Sequence, residues 1–400
     1  MKKIFGLLLI LLCLTPAALA READGFEYYL QTNGDAVIIG FAAGSETKDL
    51  VIPAQLDGHP VSLIISAAFL DADIVSVHLP ANLARLDPSS FSICNDRTAL
   101  TVAEDHPVFE MKNGVLFDKT TQTLVFYPPN RKGKTYTVPK GTLAIGDQAF
   151  KSARGLTKIT LPKGLQRIGE EAFYNASFSK ITLPNSLTEI GTAAFASCYS
   201  LKELKLPPNV SLIHGNPLPD TNTKVKVDKK NPVFKMVDGM LIDTRRQWLI
   251  MAPHRADACA VPEGVRHIAP QAFAHSWATS VTLPESLESI GREAFFDARG
   301  LQKAELPQGL KEIGERGFSW SGIKSITIPS GVTAIGERVF DHCANLSSLT
   351  LCEGLERIGA YAFNNCSELR QVTLPSTLQY LSKSAFEGCD VQMTDLREAP

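Results

Sequence analysis

The chain has 400 residues, 44% of them apolar and 20% charged, with a formal net charge of −2. That balance excludes a disordered chain. It also excludes a general nucleic-acid binder, which needs a basic stripe against phosphate, because no Lys/Arg-dense run appears beyond "NRKGK" (130–134).

The first twenty residues read as a leader. Lys2 and Lys3 precede the apolar run Ile4 to Leu14, and Ala18-Leu19-Ala20 is a small-x-small cleavage site. The run is too short to span a bilayer, and Leu12 ahead of Cys13 is too large for a lipoprotein signal. No later apolar run is long enough for a membrane span. The expectation is cleavage after Ala20 and a secreted or periplasmic protein, with association at the cell surface left open. Residues 21–60 read as an N-terminal β cap, a hairpin turning at Asn33-Gly34 that covers the end of the following structure.

Residues 61–390 repeat one unit. I-G-x-x-A-F starts at Ile145, Ile168, Ile190, Ile268, Ile290, Ile313, Ile335 and Ile358, with looser copies at Ile64, Leu86, Ile213 and Leu381; uninterrupted spacings are 22 or 23 residues. In each unit a segment such as "LTKITLP" (156–162) alternates apolar and polar residues and predicts a short strand, ended by Pro162. Ile168-Gly169 predicts a turn, with Gly169 supplying positive φ or close backbone approach. "EEAF" then predicts one short helical turn pointing Phe173 inward beside Ala172. Stacking aligns Phe150, Phe173 and Phe195, then Phe273, Phe295, Phe318, Phe340, Phe363 and Phe386, into a spine. No single coil can bury its own apolar face, so the core grows by addition.

Two interruptions are copies of each other. "HPVFEMKNGVLFDKTTQTLVFYPP" (106–129) matches "NPVFKMVDGMLIDTRRQWLIMAP" (231–253) at an offset of 125. Asn113-Gly114 and Asp238-Gly239 are turn signals between apolar strands, so each copy predicts a β-meander inserted at about 100–138 and 225–261. Residues 391–400 read as a C-terminal tail.

The pattern L-x-x-I-x-L-P-x-x-L-x-x-I-G-x-x-A-F, over roughly 61–390, resembles the BspA-type leucine-rich repeats of bacterial surface and secreted proteins. The expected fold is therefore a repeat solenoid, a leucine-rich-repeat superhelix. It has one short parallel β-strand and one short helical turn per coil of 22–23 residues, plus the two meander inserts. The resemblance implies a non-catalytic binding or adhesion protein with a protein or glycan ligand, and a monomer.

The residues carry little chemistry of their own. "RKGKT" (131–135) ends like a phosphate-binding loop, but Pro128 stands where the first glycine is required. "GFSWSG" (317–322) fails the spacing of a nucleophile elbow. There is no H-E-x-x-H and no paired C-x-x-C, the eight histidines are scattered, and Asp71-Ala72-Asp73 is too short for a calcium loop. Glu170, Glu171 and Glu293 are expected in solvent. No catalytic residue, metal ligand or cofactor is expected. Cys94, Cys198, Cys343, Cys366 and Cys389 each follow a Phe by three residues, a regular phase that favours small core residues over disulfides between adjacent coils.

Two outward columns remain on the strands. Thr160, Thr182, Thr282, Thr327, Thr350 and Thr373 dominate one; the other, from Lys158 and Lys180 to Gln371, is mixed in charge. A threonine ladder suits a regular polymer, but β-propensity on an exposed strand gives the same pattern. The inserts have more individual character. Arg131, Lys132 and Lys134 in one, and Arg245, Arg246 and Trp248 in the other, are candidate binding residues, since Arg and aromatic side chains anchor interfaces; ordinary loops carry them as well. As loop residues, Arg245, Arg246 and Trp248 are expected to be replaceable by Ala with little loss of stability. Alternative roles are a periplasmic or envelope scaffold, or an accessory presenting polysaccharide to an enzyme.

Overall fold

The computed structural model describes residues 20–396, apart from 46, 66–67, 70–73, 84, 87–98 and 130. The leader through residue 19, Asp71-Ala72-Asp73 and Cys94 lie outside the described residues. The chain winds as a solenoid of stacked coils. The expected strand is present in most coils: Lys158–Thr160 pairs in parallel with Thr135–Thr137, and a five-stranded ladder runs from Ala258–Ala260 to Ser348–Leu351. Alternation sets its faces, so Ile159 is buried between exposed Lys158 and Thr160.

Each coil carries a second ladder where the sequence predicted only a turn. Ala144–Ile145, Arg167–Ile168, Glu189–Ile190 and Leu212–Ile213 pair in parallel, with Ile145, Ile168, Ile190 and Ile213 in register. Gly169, Gly191, Gly291 and Gly314, each following such an isoleucine, serve close approach rather than positive φ: a Cβ on Gly291 would lie 2.7 Å from Pro270 N and 2.8 Å from Ile268 O.

The expected helical turn does not form; among the described residues no coil contains one. After Gly169 the backbone alternates between donating within the coil and donating to the next coil. Glu171 N, Phe173 N and Asn175 N reach Thr192 O, Ala194 O and Ala196 O (3.0, 2.8 and 2.9 Å), whereas Tyr174 N and Ala176 N bond three residues back. Aiming alternate amides outward requires left-handed residues, at Glu171 (φ 49°) and Asn175 (φ 58°), and later coils do the same at Ala193, Ser197, Glu293 and Asp297. A helix would keep all these amides for its own carbonyls. Left-handed non-glycine residues cost on the order of 1 kcal/mol or more each, offset here by the bonds between coils. In this arrangement Glu171 and Glu293 are half-buried rather than solvated: Glu171 pairs with Lys151 (2.9 Å) and Glu293 with Arg292 and Arg316 (3.5 Å each).

The phenylalanine spine forms as expected. Phe150, Phe173 and Phe195 stack at 5.2 and 5.3 Å, and Phe273 through Phe386 stack at 4.7–5.3 Å. The phased cysteines lie beside it as free thiols. Cys198, Cys343, Cys366 and Cys389 each donate to a Phe carbonyl of the preceding coil at 3.0–3.2 Å, and the first three are buried. At the amino end, Phe26–Leu30 and Ala36–Phe41 form an antiparallel hairpin, and Ala36–Phe41 pairs in parallel with His59–Ile64. At the other end Gln392–Asp395 adds a strand to Gln371–Leu374. In the inserts, Phe109–Lys112, Val115–Asp118 and Thr123–Phe126 pair antiparallel, as do Phe234–Val237, Met240–Asp243 and Trp248–Met251. The last strand of each joins the next coil in parallel.

Candidate functional site at the second meander

Both meanders are closed by the same two devices. Before the first strand, His106 Nδ1 accepts Val108 N and Phe109 N (3.1 and 3.0 Å); in the second copy Asn231 Oδ1 accepts Val233 N and Phe234 N (both 2.9 Å). After the second strand, Asp118 Oδ1 accepts Thr120 N and Thr121 N, and Asp243 Oδ1 accepts Arg245 N and Arg246 N. Burial works against ionisation of Asp118, but the bonds from Thr120 and Thr121 outweigh it and hold the carboxyl below its ordinary range.

The six candidate binding residues fall at these two junctions in different states. Lys132 and Lys134 are exposed. Arg131 lies over the rings of Tyr127 and Tyr136 (5.8 and 5.3 Å) and donates to Asn113 O at 3.3 Å. Arg246 is a bolt: its Nε meets the buried Asp243 at 2.5 Å, its Nη2 donates to Ile213 O at 2.8 Å, and its guanidinium covers Trp248 at 4.7 Å. Arg245 donates to Ser211 O at 2.9 Å. These two side chains satisfy carbonyls at the edge strand Leu212–Ile213 and just before it. The expectation that the second tip is free of structural duty therefore fails for Arg246, which ties an inserted loop to the preceding coil.

The two junctions differ inside. In the first, Tyr127 extends the spine, stacked on Phe150 at 4.8 Å and packed against Tyr136 at 5.1 Å. In the second the equivalent residues are Ala252 and Cys259, placed by the matching bonds Tyr127 N to Ala149 O and Ala252 N to Ala272 O, and by the strands Thr135–Thr137 and Ala258–Ala260. Leu218 takes the place of the spine phenylalanine in the preceding coil. With Leu218 in place of a phenylalanine and Ala252 in place of a tyrosine, a cavity of about 350 Å³ is lined by Leu218, Ala252 and Phe273. It shares His254 and Ser276 with an open cleft of about 540 Å³, walled by Tyr199 and Trp277 and lined by Asp220, His275, Asp297 and Arg299.

The cleft is held by its own bonds. Asp220 accepts Ser197 N and Ser197 Oγ (both 2.6 Å) and Tyr199 OH (3.0 Å). Asp297 accepts Arg299 Nε (2.6 Å) and faces His275 Nδ1 (3.0 Å). Arg255 covers one side of Trp277 at 4.6 Å. His254 Nδ1 is buried without a partner. Burial lowers the His254 pKa, with Asp220 opposing, so the ring is neutral at pH 7. Among the described residues no three His, Cys, Asp or Glu side chains are placed to hold a metal ion. His267 and Ser289 hydrogen-bond at 2.8 Å, and His342 pairs with Asp341 at 2.7 Å while its Nε2 faces the Asn365 amide. Among the described residues no carboxylate hydrogen-bonds the His267 ring to complete a triad with Ser289, and no hydroxyl or thiol hydrogen-bonds the His342 ring.

The profile of the BspA type Leucine rich repeat region matches in six copies, over residues 119–231 and 266–392, more than half of the chain. The chain belongs to the BspA-type leucine-rich-repeat family. Solved structures similar to it include a leucine-rich repeat protein from Eubacterium ventriosum, at 19% identity over 94% of this chain and 96% of that one, TM-score 0.54. A leucine-rich cell surface protein from Faecalibacterium prausnitzii is 21% identical over 94% and 95%, TM-score 0.45, and the pneumococcal vaccine antigen PcpA 18% over 95% and 99%, TM-score 0.41. No curated protein matches. Among the described residues no helix is long and apolar enough to cross a membrane.

In a BspA-type solenoid every coil must fit its neighbours, so individuality collects where stacking is interrupted. Reading the sequence singled out the insert tips and missed the cleft. Its signal was present: Tyr199 and Trp277 stand four residues after Phe195 and Phe273, a phase occupied elsewhere by Arg154, Ser177, Arg299, Ala344 and Ser367. Nothing local says that the two rings line one cleft.

Proposed function

We propose that this BspA-type protein is exported and acts by non-catalytic binding, presenting its repeat surface to a protein or glycan ligand as a monomer. The observation that carries the reading is the placement of functional groups. Polar side chains are tied into rungs between coils, while exposed strand residues and the two insert junctions are left to meet a partner. Family membership and the leader at residues 1–20 support the same reading. Among the candidate contact residues, Lys132 and Lys134 are the freest, Arg131 is half-buried beside them, Arg246 and Trp248 are half-buried at the second junction, and Arg245 is exposed while anchored.

The test is capture by residues 21–400 of purified matrix proteins and immobilised glycans, alongside fractionation of cells. Saturable capture with the protein in the medium or at the surface supports the reading. Release only by osmotic shock, with envelope proteins as the captured partners, would favour a periplasmic scaffold instead.

A further inference from the structure

The cleft between Tyr199 and Trp277 is the most specialised place on the solenoid. Large apolar side chains are mostly inside, yet Tyr199 is 73% exposed and Trp277 59% exposed. An exposed ring on a mobile chain means little; these are fixed. Tyr199 is anchored through its hydroxyl to Asp220 Oδ2, itself held by Ser197. Trp277 is backed by Arg255 on one face, and its backbone amide donates to His254 O at 3.0 Å. A ring held in position loses little conformational entropy when a ligand stacks on it.

The rest of the cleft lining is largely polar and also fixed. Asp220 and Asp297 keep acceptor capacity beyond the bonds they already make, and Arg299 keeps guanidinium donors beyond its Nε. The cleft adjoins, at His254 and Ser276, the inner cavity beside Ala252, which stands where Tyr127 fills the first junction. Its volume of about 540 Å³ lies within the ordinary range of small-ligand sites.

We propose that this cleft binds a pyranose unit of a saccharide, stacked on Trp277 and hydrogen-bonded through its hydroxyls to Asp220, Asp297 and Arg299. A pyranose presents an apolar C–H face and a rim of hydroxyls that both donate and accept, which matches the exposed rings and the fixed carboxylates and guanidinium of the lining. A nucleic-acid strand would meet two carboxylates. A purely apolar ligand would desolvate the remaining acceptor sites of Asp220 and Asp297 and the remaining donors of Arg299 without replacing their water. His254, neutral and with an unpartnered Nδ1, offers a further hydrogen bond where the cleft meets the inner cavity.

The proposal rests on the binding reading above and narrows it. The test uses residues 21–400 on an array of immobilised glycans, followed by tryptophan-fluorescence titration with cellobiose, lactose, maltose and N,N′-diacetylchitobiose. Glycoproteins before and after enzymatic deglycosylation separate free from protein-linked sugar. Saturable binding is expected, weakened roughly tenfold or more by Trp277→Ala and by Tyr199→Ala, and unchanged by Trp320→Ala, an exposed ring stacked on His342 that does not line the cleft. Trp277→Phe should retain most of the affinity, and an unchanged melting temperature shows that the variants fold. Absence of binding to every glycan, or binding intact in Trp277→Ala, overturns the assignment. Capture of a deglycosylated protein alone would remove the saccharide and leave the broader binding reading standing; capture of nothing would remove both.

Discussion

His106 offers a sharp test of how the inserts are built. It is 1% exposed, and its Nδ1 accepts two backbone amides, so the imidazole must be neutral with its proton on Nε2. Burial lowers its pKa, a hydrogen bond to the Pro80 backbone opposes this, and Lys119 adds to the lowering. His106→Ala orphans Val108 N and Phe109 N at about 1–3 kcal/mol per buried donor. Because Val108 is only part-buried, a total of about 2–4 kcal/mol is expected. His106→Asn should lose much less, since Asn231 makes the same two bonds at 2.9 Å in the second insert and also donates to Pro207 O and Val210 O. The pH dependence has a defined sign. A histidine whose folded pKa lies below its unfolded value stabilises the fold fully above the unfolded value, near 6.5, and loses that stabilisation as pH falls toward the folded value. The loss approaches about 1.4 kcal/mol per pH unit at most for one group. His254 and His267 are also lowered by burial, so the measurement is a difference: urea melts of the native chain and His106→Asn at pH 7.5, 6.5, 5.5 and 4.5. The native chain should lose stability faster on acidification. Parallel slopes, or equal damage from Asn and Ala, would refute the shared role of His106 and Asn231.

Three further outcomes follow from the packing. Phe173→Ala, in the stacked spine, should cost about 3–5 kcal/mol, while Thr160→Ala on the exposed ladder stays within about 0.5 kcal/mol; equal losses in urea melts would contradict the assigned faces. Arg246→Ala should lower stability by about 1.5–3 kcal/mol, because the buried Asp243 keeps only its backbone donors, whereas Lys132→Ala should leave the melting temperature unchanged. In native protein at pH 8, iodoacetamide should label Cys352 and Cys389 and spare Cys198 and Cys343, whose thiols burial pushes up to about 12. Peptide mapping that finds a Cys343–Cys366 disulfide, or equal labelling of all four, would refute the free-thiol core.

The sequence by itself determined the solenoid, its coil length, the buried face of each strand and the phenylalanine spine. A repeat makes this possible, because each position meets the same position of its neighbours and the burial phase is written many times over. The same logic placed the cysteines beside the spine. Hydrogen-bond partners were not legible. Glu171 and Ala193 adopt left-handed backbone without the glycine or asparagine that usually marks it, so "EEAF" and "TAAF" look helical although their amides belong to the next coil. The second ladder at Arg167-Ile168 is two residues long, too short for alternation to show. Arg246 looked like a loop tip because Ile213, whose carbonyl it satisfies, lies 33 residues away. The cleft was hidden for the same reason. Tyr199 and Asp220, His254, and Trp277 with Asp297 and Arg299 come from separate segments, and only the folded chain brings them around one opening.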